Sequence, residues 1–248
     1  MKSEEETVIK KGHIHPITHI YQQCVDIFSQ MGFEVATGSE IEDEYHNFDA
    51  LNIPAHHPAR DMQDTFWLKN MSGKLLRTHT SAIQVRYMKE HGAPCKIIAP
   101  GKVFRNEATD RTHETQFHQL EGLVVGKDIS LAHLKYTLNE CMKKIFGDDV
   151  VMRLRPGYFA FVEPGVEIDM QCSRCVGKGC ASCKFNGWIE ILGAGMVHPK
   201  VLEAGKIHPE QYSGFAFGLG IDRIAMIKYG IDDVRSLYNG DLRLVSQF

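Results

Sequence analysis

Along "HPITHIYQQCVDIFSQMG" the apolar positions Ile17, Ile20, Tyr21, Cys24, Phe28 and Met31 recur at helical spacing, which predicts an amphipathic helix over residues 15–31. Pro16 suits its first turn and Gly32 its left-handed stop. "SLAHLKYTLNECMKKIFG" repeats the pattern, with Ser130 as N-cap and Gly147 as terminator. Further helices are expected over 79–91 and 220–229, with short helices before the last strand. Strands are expected at 33–36, 96–98, 102–107, 116–126, 150–155, 158–163, 166–170, 188–192 and 214–218. Residues 37–65, rich in Asp, Asn, His and Pro, read as a long irregular loop, which in a compact domain is usually functional or an interface. Strands follow one another without regular helical alternation, so the fold class is α+β with a mostly antiparallel sheet.

The polar positions complicate this pattern inside one strand. Over 116–125 the alternation puts Phe117, Gln119, Glu121, Leu123 and Val125 on one side, with Gln119 and Glu121 about 7 Å apart at ~3.3 Å per residue. An amide beside a carboxylate suits an ammonium ion; a solvated strand face is the alternative. In "RPGYFAFVEPG", Phe159 and Phe161 alternate with Ala160, so both rings share a face, with Glu163 further along it. Such a pair is ordinarily core, and becomes a clamp for a flat apolar side chain only if it faces Gln119 and Glu121. In "GFAFGLGIDRIAMIKYG", Arg223 falls in the first turn of a helix, where a cation opposes the dipole unless an anion is near. With Arg105 it makes two anchored arginines able to hold a polyphosphate.

Composition narrows the classes. The 248 residues are 43% hydrophobic and 24% charged, with a net charge of −3, enough for one sizeable core and unlike a freestanding nucleic-acid binder. No apolar run reaches the ~18 residues of a membrane span, and "MKSEEETVIKKG" reads as a flexible tail over 1–11, not a signal peptide. Cys24, Cys95 and Cys141 sit alone in apolar patterns, and isolated thiols point to a reducing, cytoplasmic compartment. Cys172, Cys175, Cys180 and Cys183 form C-x2-C-x4-C-x2-C, the spacing of a small structural zinc site; free thiols and an iron–sulfur cluster are the alternatives.

The blocks "FRNE", "THETQFHQLEG", "YFAFVEPG", "GWIEILGAGMVHP" and "GFAFGLGIDR", in this order, resemble the alpha subunits of bacterial phenylalanyl-tRNA synthetases, a class II aminoacyl-tRNA synthetase family. "FRNE" looks like motif 2, "GLGIDR" like motif 3, and the first helix with the loop through Pro54 like motif 1. The resemblance implies one catalytic domain over 12–248 with a four-cysteine zinc-knuckle insertion at 171–184. It also implies a two-step reaction: phenylalanine and ATP give an aminoacyl adenylate, and the acyl group passes to tRNA(Phe).

By the same resemblance, Arg105 would hold the α-phosphate and the amino-acid carboxylate, Glu107 the adenine amino group, and Arg223 the γ-phosphate, with His113 reaching the phosphates. Gln119, Glu121 and Ser81 would bind the ammonium, with His79 and Trp67 nearby. Phe159 and Phe161 would stack on the substrate ring over a floor of Val162 and Ala216, and Glu163 would help hold Mg²⁺. The implied partners are a beta subunit in an α2β2 assembly, or a second copy through motif 1. The helical arm by which such subunits grip tRNA has no counterpart here, which implies weak tRNA binding by this chain alone. A non-charging paralogue that senses phenylalanine or ATP is the alternative. The presence of Arg105, Glu107, Gln119, Glu121 and Arg223 together counts against it.

Overall fold

The computed structural model describes residues 12–57, 60 and 65–248; the tail expected over 1–11 lies outside the described residues. Helix α1 (Pro16–Gln30) forms on the apolar spacing, burying Ile17, Ile20, Cys24, Ile27 and Phe28. The ring of His15 caps it by accepting from the Ile17 N–H at 3.2 Å, and Gly32 leaves it at φ +81°. Strand β1 (Glu34–Val35) follows.

The segment expected to be irregular is partly ordered. Strand β2 (Ile41–Asp43) pairs antiparallel with β3 (Lys74–Leu76), and between them lie helix α2 (Glu44–Asn47) and a 3-10 turn at Asp49–Leu51. Asp43 starts α2 by accepting from the His46 N–H at 2.8 Å, and Asn47 ties its end to the Thr78 hydroxyl at 3.0 Å. Then come α3 (Ser81–His91), β4 (Cys95–Phe104), β5 (Gln116–Gly126) and α4 (Leu131–Phe146). β6 (Met152–Phe159), β7 (Val162–Gln171), β8 (Trp188–Val197) and α5 (Pro199–Ala204) follow. The described chain closes with β9 (Ser213–Gly220), α6 (Ile221–Tyr229) and α7 (Leu242–Val245).

Seven strands form one sheet in the order β1-β4-β5-β9-β8-β7-β6. β1 runs parallel to β4 and every other neighbour is antiparallel, as the uninterrupted succession of strands implies. Two sequence expectations change. The strands at 96–98 and 102–107 are one strand, β4, continuing through Pro100 opposite Leu120. β1 covers β4 only at Ile97 and Ile98, so at Pro100 one side of the strand is open and its missing N–H leaves no gap in a ladder. The strand at 158–163 is instead a turn, with Phe159 ending β6 and Val162 opening β7 as its partner.

The sheet buries a core on each face. On one, Ile98, Leu120, Val124, Phe215 and Phe217 pack against the apolar sides of α1, α4 and α6, with Phe28 stacked on Phe217 at 5.2 Å. On the other, Ile97, Ala99, Leu123, Val125 and Ala216 meet Ile83, Val85 and Met88 of α3 and Val201 and Leu202 of α5. Along β5 this second face passes from Val125 and Leu123 to Glu121 and Gln119, and there the apolar packing gives way to a cavity.

Candidate functional site

The cavity holds about 670 Å³ and is floored by the sheet. β5 delivers Glu121 and Gln119 to it, and the next strands offer almost no side chain at the same level. Glu121 pairs with Gly218 of β9, which pairs with Gly193 of β8. Gln119 pairs with Gly220. The glycines at i and i+2 in "LGAG" and "GLG" thus strip one face of two strands, a period-2 signal that was visible in the sequence.

Glu121 is 6% exposed. It accepts from the Thr80 N–H at 3.1 Å, the Ser81 hydroxyl at 2.5 Å and the Gln84 amide at 3.0 Å, all at the start of α3. Burial still dominates and pushes its pKa up to about 7, against the pull of these hydrogen bonds and of the Arg105 and Arg77 charges. An ionised carboxylate offers about four acceptor directions. Three are used, and one remains for a cation in the cavity. Gln119 adds a carbonyl oxygen, Oε1, that is out of solvent and has no hydrogen-bond partner. His79 lines the same wall with both ring nitrogens out of solvent. Burial, then the Arg105 charge, lowers its pKa to about 3, so it stands there neutral.

Opposite this polar end, the rings of Phe159 and Phe161 stack at 5.9 Å with an interplanar angle of 26°. They share a wall not by strand alternation but because the β6–β7 turn presents both. The Asn52 side chain pins that turn by donating to the Ala160 carbonyl at 2.7 Å. Ala216, 8% exposed, lines the floor, while Val162 lies behind it, against Gly195, where a Cβ would come within 2.8 Å of the valine.

Arg105 and Glu107 lie on the cavity's other flank. The Arg105 guanidinium stands 5.0 Å over the Phe117 ring and donates to the Thr78 carbonyl at 3.3 Å. Besides Val162, four expected residues lie off this cavity. Trp67 bridges to Leu75 and packs 6.3 Å from Phe48, which does line it. His113 sits on an exposed loop, bonded to Asp110 at 3.0 Å. Arg223 borders a second cavity, one turn beyond Gly220. Glu163 is exposed, with a carboxylate oxygen 3.4 Å from Nε2 of His198. No cluster of three ligand-bearing side chains among the described residues includes Glu163.

Sequence reading missed Thr80 and Gln84, which complete the holding of Glu121, and Phe48, Leu51 and His57 from the supposed loop. Only contacts between distant segments reveal these.

The four cysteines join β7 to β8, whose last pair is Gln171 with Trp188. Their sulfurs all lie within 4.8 Å of one another, with Cys172–Cys180, Cys175–Cys183 and Cys180–Cys183 each at 3.8 Å. Sulfurs bound tetrahedrally at about 2.3 Å stand about 3.8 Å apart, so the set fits one zinc ion. N–H groups of Gly179, Cys180 and Gly187 point at Cys175 and Cys183 at 3.1–3.3 Å, as thiolates require. Gly187 and Gly177 allow the loop to close: a Cβ on Gly187 would fall 2.3 Å from the Gly177 carbonyl oxygen.

A largely antiparallel sheet with this helical cover and a glycine-floored cavity at β5, β8 and β9 is the core of a class II aminoacyl-tRNA synthetase. The chain belongs to that family: the family model for tRNA synthetases class II core domain (F) matches residues 2–248. It is similar to the phenylalanine–tRNA ligase alpha subunit of Limosilactobacillus reuteri (strain DSM 20016), with 54% identity over 245 residues, 98% of this chain and 70% of that protein. The corresponding subunit of Streptococcus uberis is 54% identical over 243 residues, 97% of this chain and 70% of its own length. Among solved structures, pyrrolysyl-tRNA synthetase from Desulfitobacterium hafniense shares the fold, with a TM-score of 0.69 at 17% identity over 94% of this chain and 76% of the other.

Proposed function

We propose that the chain activates L-phenylalanine with ATP and transfers the phenylalanyl group to tRNA(Phe), as the catalytic alpha subunit of a phenylalanine–tRNA ligase. The observation that carries this is one cavity with Glu121 and the unpartnered Gln119 oxygen at one end and two stacked phenylalanine rings at the other. A zwitterion with a benzyl side chain fits that division: the ammonium meets the acceptors, and the ring meets the apolar wall.

Arg105, steadied by Thr78 and Phe117, orients the substrate carboxylate against the α-phosphate. The carboxylate oxygen attacks phosphorus, the bond to the β-phosphate breaks, and pyrophosphate leaves. Glu107 accepts from the adenine amino group, and the bare glycine floor lets the ligand lie against the sheet. Arg223 takes the far end of the triphosphate past Gly220, and His113 joins it from the motif 2 loop. Trp67 acts through Phe48 by fixing the wall. The protein's part is positioning and charge stabilisation. Magnesium, bound with ATP, supplies charge neutralisation; Glu163, with His198 beside it, is the side chain offered for such a role, outside the cavity. Zinc held by the four cysteines is structural, since four protein ligands leave no open position.

Tyrosine is disfavoured because the floor at Ala216, with Val162 behind it, offers its hydroxyl no polar partner. The segment through Pro54 would meet a beta subunit in an α2β2 assembly, or a second copy of the chain. Phenylalanine-dependent ATP–pyrophosphate exchange tests this reading. Exchange by the chain, alone or with a beta subunit, supports it; bound phenylalanine with no exchange in either case turns the chain into a sensor.

A further inference from the structure

The second cavity, about 530 Å³, lies where the motif 2 loop, the cysteine loop and α6 meet. Arg111, Arg174, Lys184 and Arg223 line it, over apolar side chains that include Ile189 and Ile227. Among the described residues one acid, Asp232, shares that lining, and it is ion-paired with Arg174 at 2.8 Å. Arg174 also bonds Ser182 at 3.0 Å and the Gly230 carbonyl at 3.2 Å, which fastens the cysteine loop to the end of α6. Among the described residues, Arg111, Lys184 and Arg223 enter no ion pair within 4 Å; Arg111 interacts at longer range with Asp233. With Arg223 already assigned to the triphosphate, Arg111 and Lys184 remain as a local cationic excess in a chain of net charge −3.

Beside Lys184 stands a largely exposed aromatic ring. Phe185 is 78% exposed, and Val176 across the loop is 70% exposed. Lys184 and Phe185 both take left-handed backbone, at φ 50° and 62°, uncommon for bulky residues. The Lys184 and Phe185 N–H groups donate to the Ala181 and Cys180 carbonyls at 3.1 and 2.9 Å, so this outward presentation is built into the loop. An exposed ring next in the chain to a cation that lines an apolar-floored hollow can bind unpaired nucleic acid, the ring stacking on a base and the cation holding a phosphate.

We infer that the cysteine loop is a contact surface for single-stranded RNA, with Phe185 stacking on an unpaired base and Lys184 holding the adjoining phosphate. This rests on the proposed function, which supplies the RNA: the accepting end of a tRNA passing this hollow on its way to the first cavity, which begins at Gly220. The cysteine loop would then do more than close a hairpin.

The test is fluorescence anisotropy of the chain with a labelled 12-nucleotide single-stranded RNA at about 50 mM salt, with a duplex of equal length alongside. Phe185→Ala and Lys184→Ala, both at the loop surface, are compared with the unaltered chain at equal zinc content and melting temperature. The expected result is saturable binding that prefers the single strand and weakens about tenfold in Phe185→Ala, with a smaller loss and a shallower salt dependence in Lys184→Ala. No saturable binding by the unaltered chain, equal binding by Phe185→Ala, or a preference for the duplex would each overturn the inference. Exchange activity is measured on the same preparations: its absence from the unaltered chain bears on the proposed function alone, and an unequal loss in Phe185→Ala counts against a purely RNA-directed role.

Discussion

The ring of Phe159 stands over Gly193 so closely that a Cβ added to the glycine would lie 2.7 Å from Cζ of the ring. A methyl group there must push the ring toward Phe161 and into the space proposed for the benzyl side chain. Gly193→Ala is expected to raise the KM for phenylalanine by about tenfold or more, with the KM for ATP changed far less. Exchange kinetics with each substrate varied in turn would show it. An equal rise in both constants would mean that the two rings do not form the amino-acid wall.

Glu121 makes the empty protein sensitive to pH in a defined direction. Its pKa is raised from an ordinary 4.5 to about 7, so between these values the folded chain binds more protons than the unfolded one. Its contribution to stability is therefore present below pH 4.5 and is lost as pH rises toward 7, by a total on the order of 3 kcal/mol. Melting temperatures from pH 5 to 8 should fall by more in the unaltered chain than in Glu121→Gln. The same variant should lose phenylalanine binding, because an amide supplies no charge for the ammonium. Parallel melting profiles would show that the carboxylate stays ionised throughout.

Ala216 is expected to set the length of substrate that the floor admits. Removing its methyl group in Ala216→Gly deepens the cavity where it meets Val162 and Gly195, and should allow para-chlorophenylalanine to be activated. Competition between that analogue and phenylalanine in the exchange reaction measures the change. If the analogue gains nothing, the para position points elsewhere in the cavity.

One equivalent of zinc is expected per chain, and its removal should be felt as lost stability. The sulfurs of Cys172, Cys175, Cys180 and Cys183 are closer to one another than four separate thiols need to be. Treatment with a strong chelator should release the metal, expose four additional titratable thiols and lower the melting temperature. Cys175→Ser should bind zinc more weakly. Metal analysis that finds iron with inorganic sulfide would replace zinc by a cluster.

The elements written in local chemistry were legible. α1 and α4 carry their stripes and their stops, Gly32 and Gly147, and β5 could be read face by face, so that Glu121 and Leu123 were placed together before any fold was known. What escaped depends on partners distant in sequence. The turn between Phe159 and Val162 lacks turn residues and is held by Asn52, over a hundred positions away. β4 looked broken at Pro100 because the shortness of β1, which makes proline tolerable there, is a property of the sheet. α2 depends on Thr78 and Asp43, and Gln84 became part of the site only when α3 was laid against β5. Arg105, Glu107, Gln119, Glu121 and Ala216 do share one cavity, whereas Arg223 borders the second one and His113 sits on an exposed loop.

The arrangement around Glu121 also has a calorimetric consequence. A carboxyl group poised near pH 7 in the empty cavity is only partly ionised at neutrality, yet the complex with an ammonium ion requires it to be fully so. Each molecule of amino acid that docks must therefore expel a fraction of a proton into the medium. The heat of binding then carries the ionisation enthalpy of whichever buffer receives that proton, so the enthalpies measured in phosphate and in Tris at one pH should differ while the affinities agree.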